Sequence, residues 1–124
     1  MPADQYGTTE SNMDHALMKS WVYPALKPEQ KVMIVSGLYG DSSVTGAARD
    51  AVEAKLLDKL NGDWAWAQAD PRVLGINPWH WATRPNPAKK MDLGAGDFPK
   101  LAARLKEIAE TLAKNQSLSR RRQA

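Results

Sequence analysis

The chain reads as an α/β protein whose short parallel sheet is left open at its edges. Two observations predict this: two continuous apolar runs of strand length, residues 32–35 and 73–76, and a helix-spaced stretch lying between them. Strand, helix, strand in that order is a βαβ unit, whose strands run parallel and whose crossover is right-handed. A third observation is a shortage. Two parallel strands cannot satisfy their own edges, and a sheet generally needs three or more strands to be stable by itself. The missing strands have three sources on this reading: the N-terminal residues, a second copy of the chain, or a longer parent protein.

Taken in order, residues 13–23 put Met13, Ala16, Leu17 and Ser20 or Trp21 on one face, which suits a short helix, with Pro24 and Pro28 punctuating its end. Val32, Met33, Ile34 and Val35 then form an unbroken apolar run between KPEQK and SGLYGD, the pattern of a strand covered on both faces. Residues 46–60 place Ala48, Ala51 or Val52, Leu56 and Leu60 at helical spacing, and Gly62 either breaks or weakens that helix. Asp70 and Pro71 introduce the second strand. Along it Leu74, Ile76 and His80 share one parity, with the apolar pair read as facing the helices, while Gly75, Asn77, Trp79 and Trp81 share the other. The last helix has Asp97 as N-cap, Pro99 in its first turn and an apolar stripe of Phe98, Leu101, Ala102, Leu105, Ile108, Ala109 and Leu112, which should pack on the sheet.

Composition bounds the function classes. With 43% hydrophobic and 25% charged residues, the 124-residue chain is ordinary for one soluble domain. Its net charge of +3 owes much to Arg120, Arg121 and Arg122. Without them acidic and basic residues balance, so nucleic-acid binding has little support. Residues 1–115 are read as a single unit and 116–124 as a disordered basic tail. There is no cysteine and there are two well-separated histidines, so no thiolate chemistry, no metal site and no cofactor are expected. No apolar run approaches the ~20 residues of a membrane span, and the N-terminus is not a signal peptide. The compartment stays open.

Chemistry is expected where the strands end, because in parallel α/β folds the loops leaving their C-terminal ends converge on one face. Residues 64–85 hold four of the five tryptophans. Trp64 and Trp66 lie on or just after the helix and are read as packing. Trp79, Trp81, Asn77, His80 and Arg84, with Tyr39 from the first strand's exit, form an aromatic and polar set that suits sugar rings. GLYGDSSVTG lacks both the P-loop lysine and the dinucleotide glycine spacing, so anion binding there ranks last. Capping of the following helix by Ser42, Ser43 or Thr45 is the stronger reading of that loop.

QKVMIVSGLYGD, a helix, WAWAQADPRVLGINPWHW and DFPKLAARLKEIAETLAKN together resemble the closing part of a (β/α)8 barrel glycoside hydrolase. The resemblance covers residues 25–115 and implies a partial barrel, its last two to three βα units. Residues 32–36 then match strand seven, 73–77 strand eight and 98–113 the last helix; residues 3–24, with Asp4 and Tyr6, would supply the exit of strand six and its helix. Many such enzymes floor the sugar subsite beside the scissile bond with a tryptophan ending strand eight, which Trp79 matches best and Trp81 second. Retaining members carry a nucleophilic Glu at the end of strand seven. SGLYGD has none, only Asp41 a few residues on, which makes Asp41 the candidate catalytic residue. The acid/base partner comes from strand four, outside this chain. Hydrolysis needs two carboxyl groups roughly 5 to 10 Å apart, and a whole barrel takes about 250 residues. The expected function is therefore a sugar-contacting wall, inactive alone. The expected partners are carbohydrate and a missing barrel half or a second copy; the alternative is an α/β interaction module that oligomerises through its open edges.

Overall fold

The computed structural model describes residues 15–85 and 91–123. The architecture is mixed α/β. Strands β1 (Val32–Gly37) and β3 (Val73–Trp79) form a parallel pair joined by the long helix α2 (Gly46–Ala69). A second, antiparallel sheet has the order β2 (Gly40–Asp41), β5 (Met91–Leu93), β4 (Arg84–Pro85). It is built from the segments that leave β1 and β3. A 3-10 turn, Ala95–Asp97, leads into the last helix, α3 (Pro99–Gln123). The described residues close no barrel, and no helix among them is long and apolar enough to cross a membrane.

The N-terminal segment is less regular than its spacing suggests. Helix α1 (His15–Leu17) passes into a π turn, Met18–Val22, and then a 3-10 turn, Tyr23–Ala25. The changing pitch moves the buried face: Met18, Val22, Tyr23 and Leu26 pack inward, whereas Ala16, Ser20 and Trp21 are exposed. Met13, Asp4 and Tyr6 lie outside the described residues.

Two apolar clusters flank one face of the parallel pair. Val32, Ile34, Val73 and Trp66 form one, at the end where the strands begin; Leu38, Leu56, Leu60, Phe98, Leu101 and Ile108 form the other, where α2 meets α3. Ile76 touches both. The opposite face is open: Met33 is exposed, as are Asn77 and Trp79. Coverage on both faces is therefore corrected to coverage on one. Leu74 also departs from its predicted helix-facing side and is 69% exposed. The register slips between Val32 and Met33, so Val73 pairs with Val32 and Gly75 with Met33, and Val73 takes the buried place.

Polar links fix the layers. Ser36, fully buried on β1, donates to Asp63 of α2 at 2.6 Å, and Lys59 lies 3.7 Å from the same carboxylate. Helix α2 runs straight through Gly62, since flanking leucines and tryptophans on its buried side outweigh one glycine's cost of roughly 1 kcal/mol. Trp64 and Trp66 pack in the two clusters, as their place on the helix suggests. At the start of β3, Asp70 accepts from Tyr23 Oη at 2.6 Å, Trp66 Nε1 at 3.2 Å and the Arg72 amide at 2.9 Å. Burial, and then the hydrogen bond to Asp70, hold the Tyr23 phenol above the usual tyrosine range.

Helix α3 is capped from a distance. The buried Glu53 of α2 accepts from the amides of Lys100 at 2.9 Å and Leu101 at 3.5 Å. Asp97, the expected cap, instead closes the preceding turn by accepting from Gly94 N and from Thr83 Oγ1. The apolar stripe is buried as far as Ile108, against α2, and Leu112 beyond it is 44% exposed. The helix continues over 116–123, the stretch assigned to a disordered tail, and no glycine or proline interrupts it after Pro99.

Candidate functional site

The chain's aromatic and polar residues meet where β1 and β3 end. Gly37 and Trp79 are the last paired residues, and Leu38 N donates to Trp79 O at 2.6 Å, so the two exits leave side by side. Tyr39 and His80 are therefore close neighbours. Their rings stack with centroids 5.6 Å apart and planes 14° apart. The Trp79–His80 peptide is cis, and those two rings meet edge to face at 6.0 Å. Arg84, on β4, lays its guanidinium over the Trp79 ring with 5.1 Å from carbon to centroid.

His80 has a defined hydrogen-bonding state. Its Nδ1 lies 2.7 Å from the Ala82 carbonyl oxygen. A carbonyl accepts and cannot donate, so the proton is assigned to Nδ1 and, in the neutral ring, Nε2 presents a lone pair. That Nε2 is buried, and no group among the described residues donates to it.

Neighbouring backbone holds this corner in place. His80 O accepts from Ala95 N at 2.7 Å, and Trp81 O accepts from Gly96 N at 2.9 Å. So close an approach requires glycine: a Cβ on Gly94 would collide with the Trp81 carbonyl, and one on Gly96 would stand 2.8 Å from the Trp81 indole. Trp81 thus covers the 94–96 turn while remaining 59% exposed.

The sequence-derived set divides accordingly. Tyr39, Trp79, His80 and Arg84 come together. Asn77 stands one pleat back on the open face, opposite Val35 in register, and is exposed. Asp41 sits in β2, where its carboxylate accepts from Ser43 N at 2.8 Å. Thr45 occupies the N-cap position of α2 but makes no side-chain cap, and the loop is held instead by Arg49, which donates to the carbonyls of Val44 and Ser42.

One residue escaped the sequence reading. Asp92 of β5 pairs with Asp41 on one side and Arg84 on the other, which sets three ionisable side chains in a row on one sheet face. Nothing in the local pattern marks it, because its strand is three residues long. No group of three or more His, Cys, Asp or Glu that could hold a metal ion occurs among the described residues. Comparison with protein-family models, with curated proteins and with solved structures returns no match.

Proposed function

We propose that this chain is the sugar-contacting wall of a glycoside hydrolase-like (β/α)8 barrel, supplying its last two to three βα units and hydrolysing nothing by itself. The observation that carries the reading is His80. Its buried acceptor, unpartnered among the described residues, lies beside two aromatic rings at the C-terminal end of a parallel strand. Leaving such an atom unsatisfied costs about 1–3 kcal/mol, a cost removed by a ligand hydroxyl that displaces the covering groups to reach Nε2. Trp79 offers a half-exposed indole for the C–H face of a pyranose, and the open inner face of β1 and β3 fits a lumen completed by further strands. Tyr39 orients His80, and Asn77 lies deeper on the same wall.

Titration of the chain with a panel of oligosaccharides, followed by tryptophan fluorescence, tests the reading. Binding is expected without hydrolysis, and Trp79→Ala should weaken it roughly tenfold through lost ring stacking. A panel in which no glycan binds, or affinity indifferent to both Trp79→Ala and His80→Ala, would sink it.

The second reading, an interaction module that self-associates, is favoured by the same open sheet. Among the described residues β1 and β3 each have one neighbour, and Met33 and Leu74 are 49% and 69% exposed. Light scattering of the purified chain distinguishes the two: a dimer abolished by Met33→Lys supports self-association, and a monomer removes it.

A further inference from the structure

We infer that the sugar this rim selects carries a carboxylate, and that Arg84 is the residue that recognises it. The inference rests on the carbohydrate reading and narrows it to a substrate class. Arg84 is exposed on β4, with its guanidinium carbon over the Trp79 ring at 5.1 Å from the centroid. A cation–π contact engages the guanidinium through its charge and leaves its five N–H donors able to bond elsewhere. Ion pairs among the described residues, Lys59–Asp63, Arg104–Glu107 and Lys106–Glu110, do not involve it, and Asp92 is its register partner on β5. The rim therefore presents three functions side by side. They are the half-exposed indole of Trp79, the imidazole of His80 and a planar cationic fork.

A neutral pyranose uses the first two. The fork has its geometric complement in a carboxylate, which takes two parallel N–H···O bonds from one guanidinium and leaves the sugar ring in reach of the indole. Such a pair is stronger than a bond to a neutral hydroxyl because both partners are charged. Asp92 and Asp41, on the same sheet face, oppose an anionic ligand and make the effect of Arg84 separable from general charge attraction.

The test compares the full 124-residue chain with trigalacturonate and glucuronate-substituted xylotriose against cellotriose, mannotriose and unsubstituted xylotriose, by calorimetric titration. Uronate-bearing sugars should bind roughly tenfold more tightly than neutral ones at low salt, with the preference shrinking as ionic strength rises. Arg84→Gln should abolish that preference, and Asp92→Asn should tighten uronate binding. Circular dichroism of each variant confirms that the fold persists. Neutral sugars binding as well as uronates, or a preference that survives Arg84→Gln, overturns this inference and leaves the carbohydrate reading standing. If Arg84→Gln raises affinity for all sugars alike, the guanidinium merely covers Trp79, and the inference again fails. Absence of binding to either class overturns the carbohydrate reading itself.

Discussion

Replacing Gly94 by alanine probes the contact that holds the rim together. An added Cβ would collide with the Trp81 carbonyl and stand 2.7 Å from Ala82 N. Both neighbours are backbone, so no side chain can rotate away. The 94–96 segment must retreat by roughly 1 Å to restore ordinary van der Waals separation. It is attached on either side by Ala95 N to His80 O at 2.7 Å and Gly96 N to Trp81 O at 2.9 Å. A retreat of that size takes both beyond about 3.5 Å, where they cease to be hydrogen bonds. At about 0.5–1.5 kcal/mol each, the combined loss is about 1–3 kcal/mol, the usual range for overpacking. For a chain of this length that lowers Tm by roughly 3–15 °C. Thermal unfolding followed by circular dichroism measures it, with Gly62→Ala as control. Gly62 lies inside α2 with nothing within 4 Å of an added Cβ, so that change should stabilise by about 0.5–1 kcal/mol. Because the broken bonds anchor His80 and Trp81, Gly94→Ala should also weaken the proposed sugar binding. A variant within about 0.5 kcal/mol of the wild type, or one destabilised with binding unchanged, refutes the argument.

Two further outcomes concern the frame. Glu53→Ala removes the distant cap of α3 and leaves two amides facing a buried hole, so stability should fall by about 2–4 kcal/mol in urea unfolding; a loss below about 1 kcal/mol would deny the cap its role. Tyr23→Phe should cost about 1–2 kcal/mol at neutral pH. Since the phenol's folded pKa is raised, its contribution is complete below the ordinary tyrosine value and is lost as pH climbs through the folded one. The gap between wild type and Tyr23→Phe should therefore close in strongly alkaline solution, and a gap independent of pH would contradict the Tyr23–Asp70 bond.

Long elements were legible because their signals repeat. The run at 32–35 and the stripe from Phe98 to Ile108 each carry several residues that agree, and the structure buries their main members. Short elements have no period to read. Strands β2 and β4 are two residues each and β5 three, so the sheet that frames the rim leaves no hydrophobic pattern, and Asp92 goes unmarked with it. Leu74 misleads for a different reason: parity fixes which residues share a face, but a slip in register decides which face is inside. Glu53 shows the limit of local rules, since a carboxylate 47 positions away from Lys100 supplies what Asp97 was well placed to supply. For the site, residue types at strand ends pointed to Tyr39, Trp79, His80 and Arg84. The position of Trp81 depended on two glycines that its own surroundings do not reveal.

The three-stranded sheet at the rim also governs how this chain can vary. By pairing Gly40 and Asp41 with Leu93 and Asp92, and Arg84 and Pro85 with Asp92 and Met91, it bolts both exits to one ladder. An insertion between Tyr39 and Gly40, or between His80 and Arg84, shifts that ladder and pulls the stacked rings apart. The spacings from Gly37 to Gly40 and from Trp79 to Arg84 are therefore the lengths that relatives sharing this rim should keep constant.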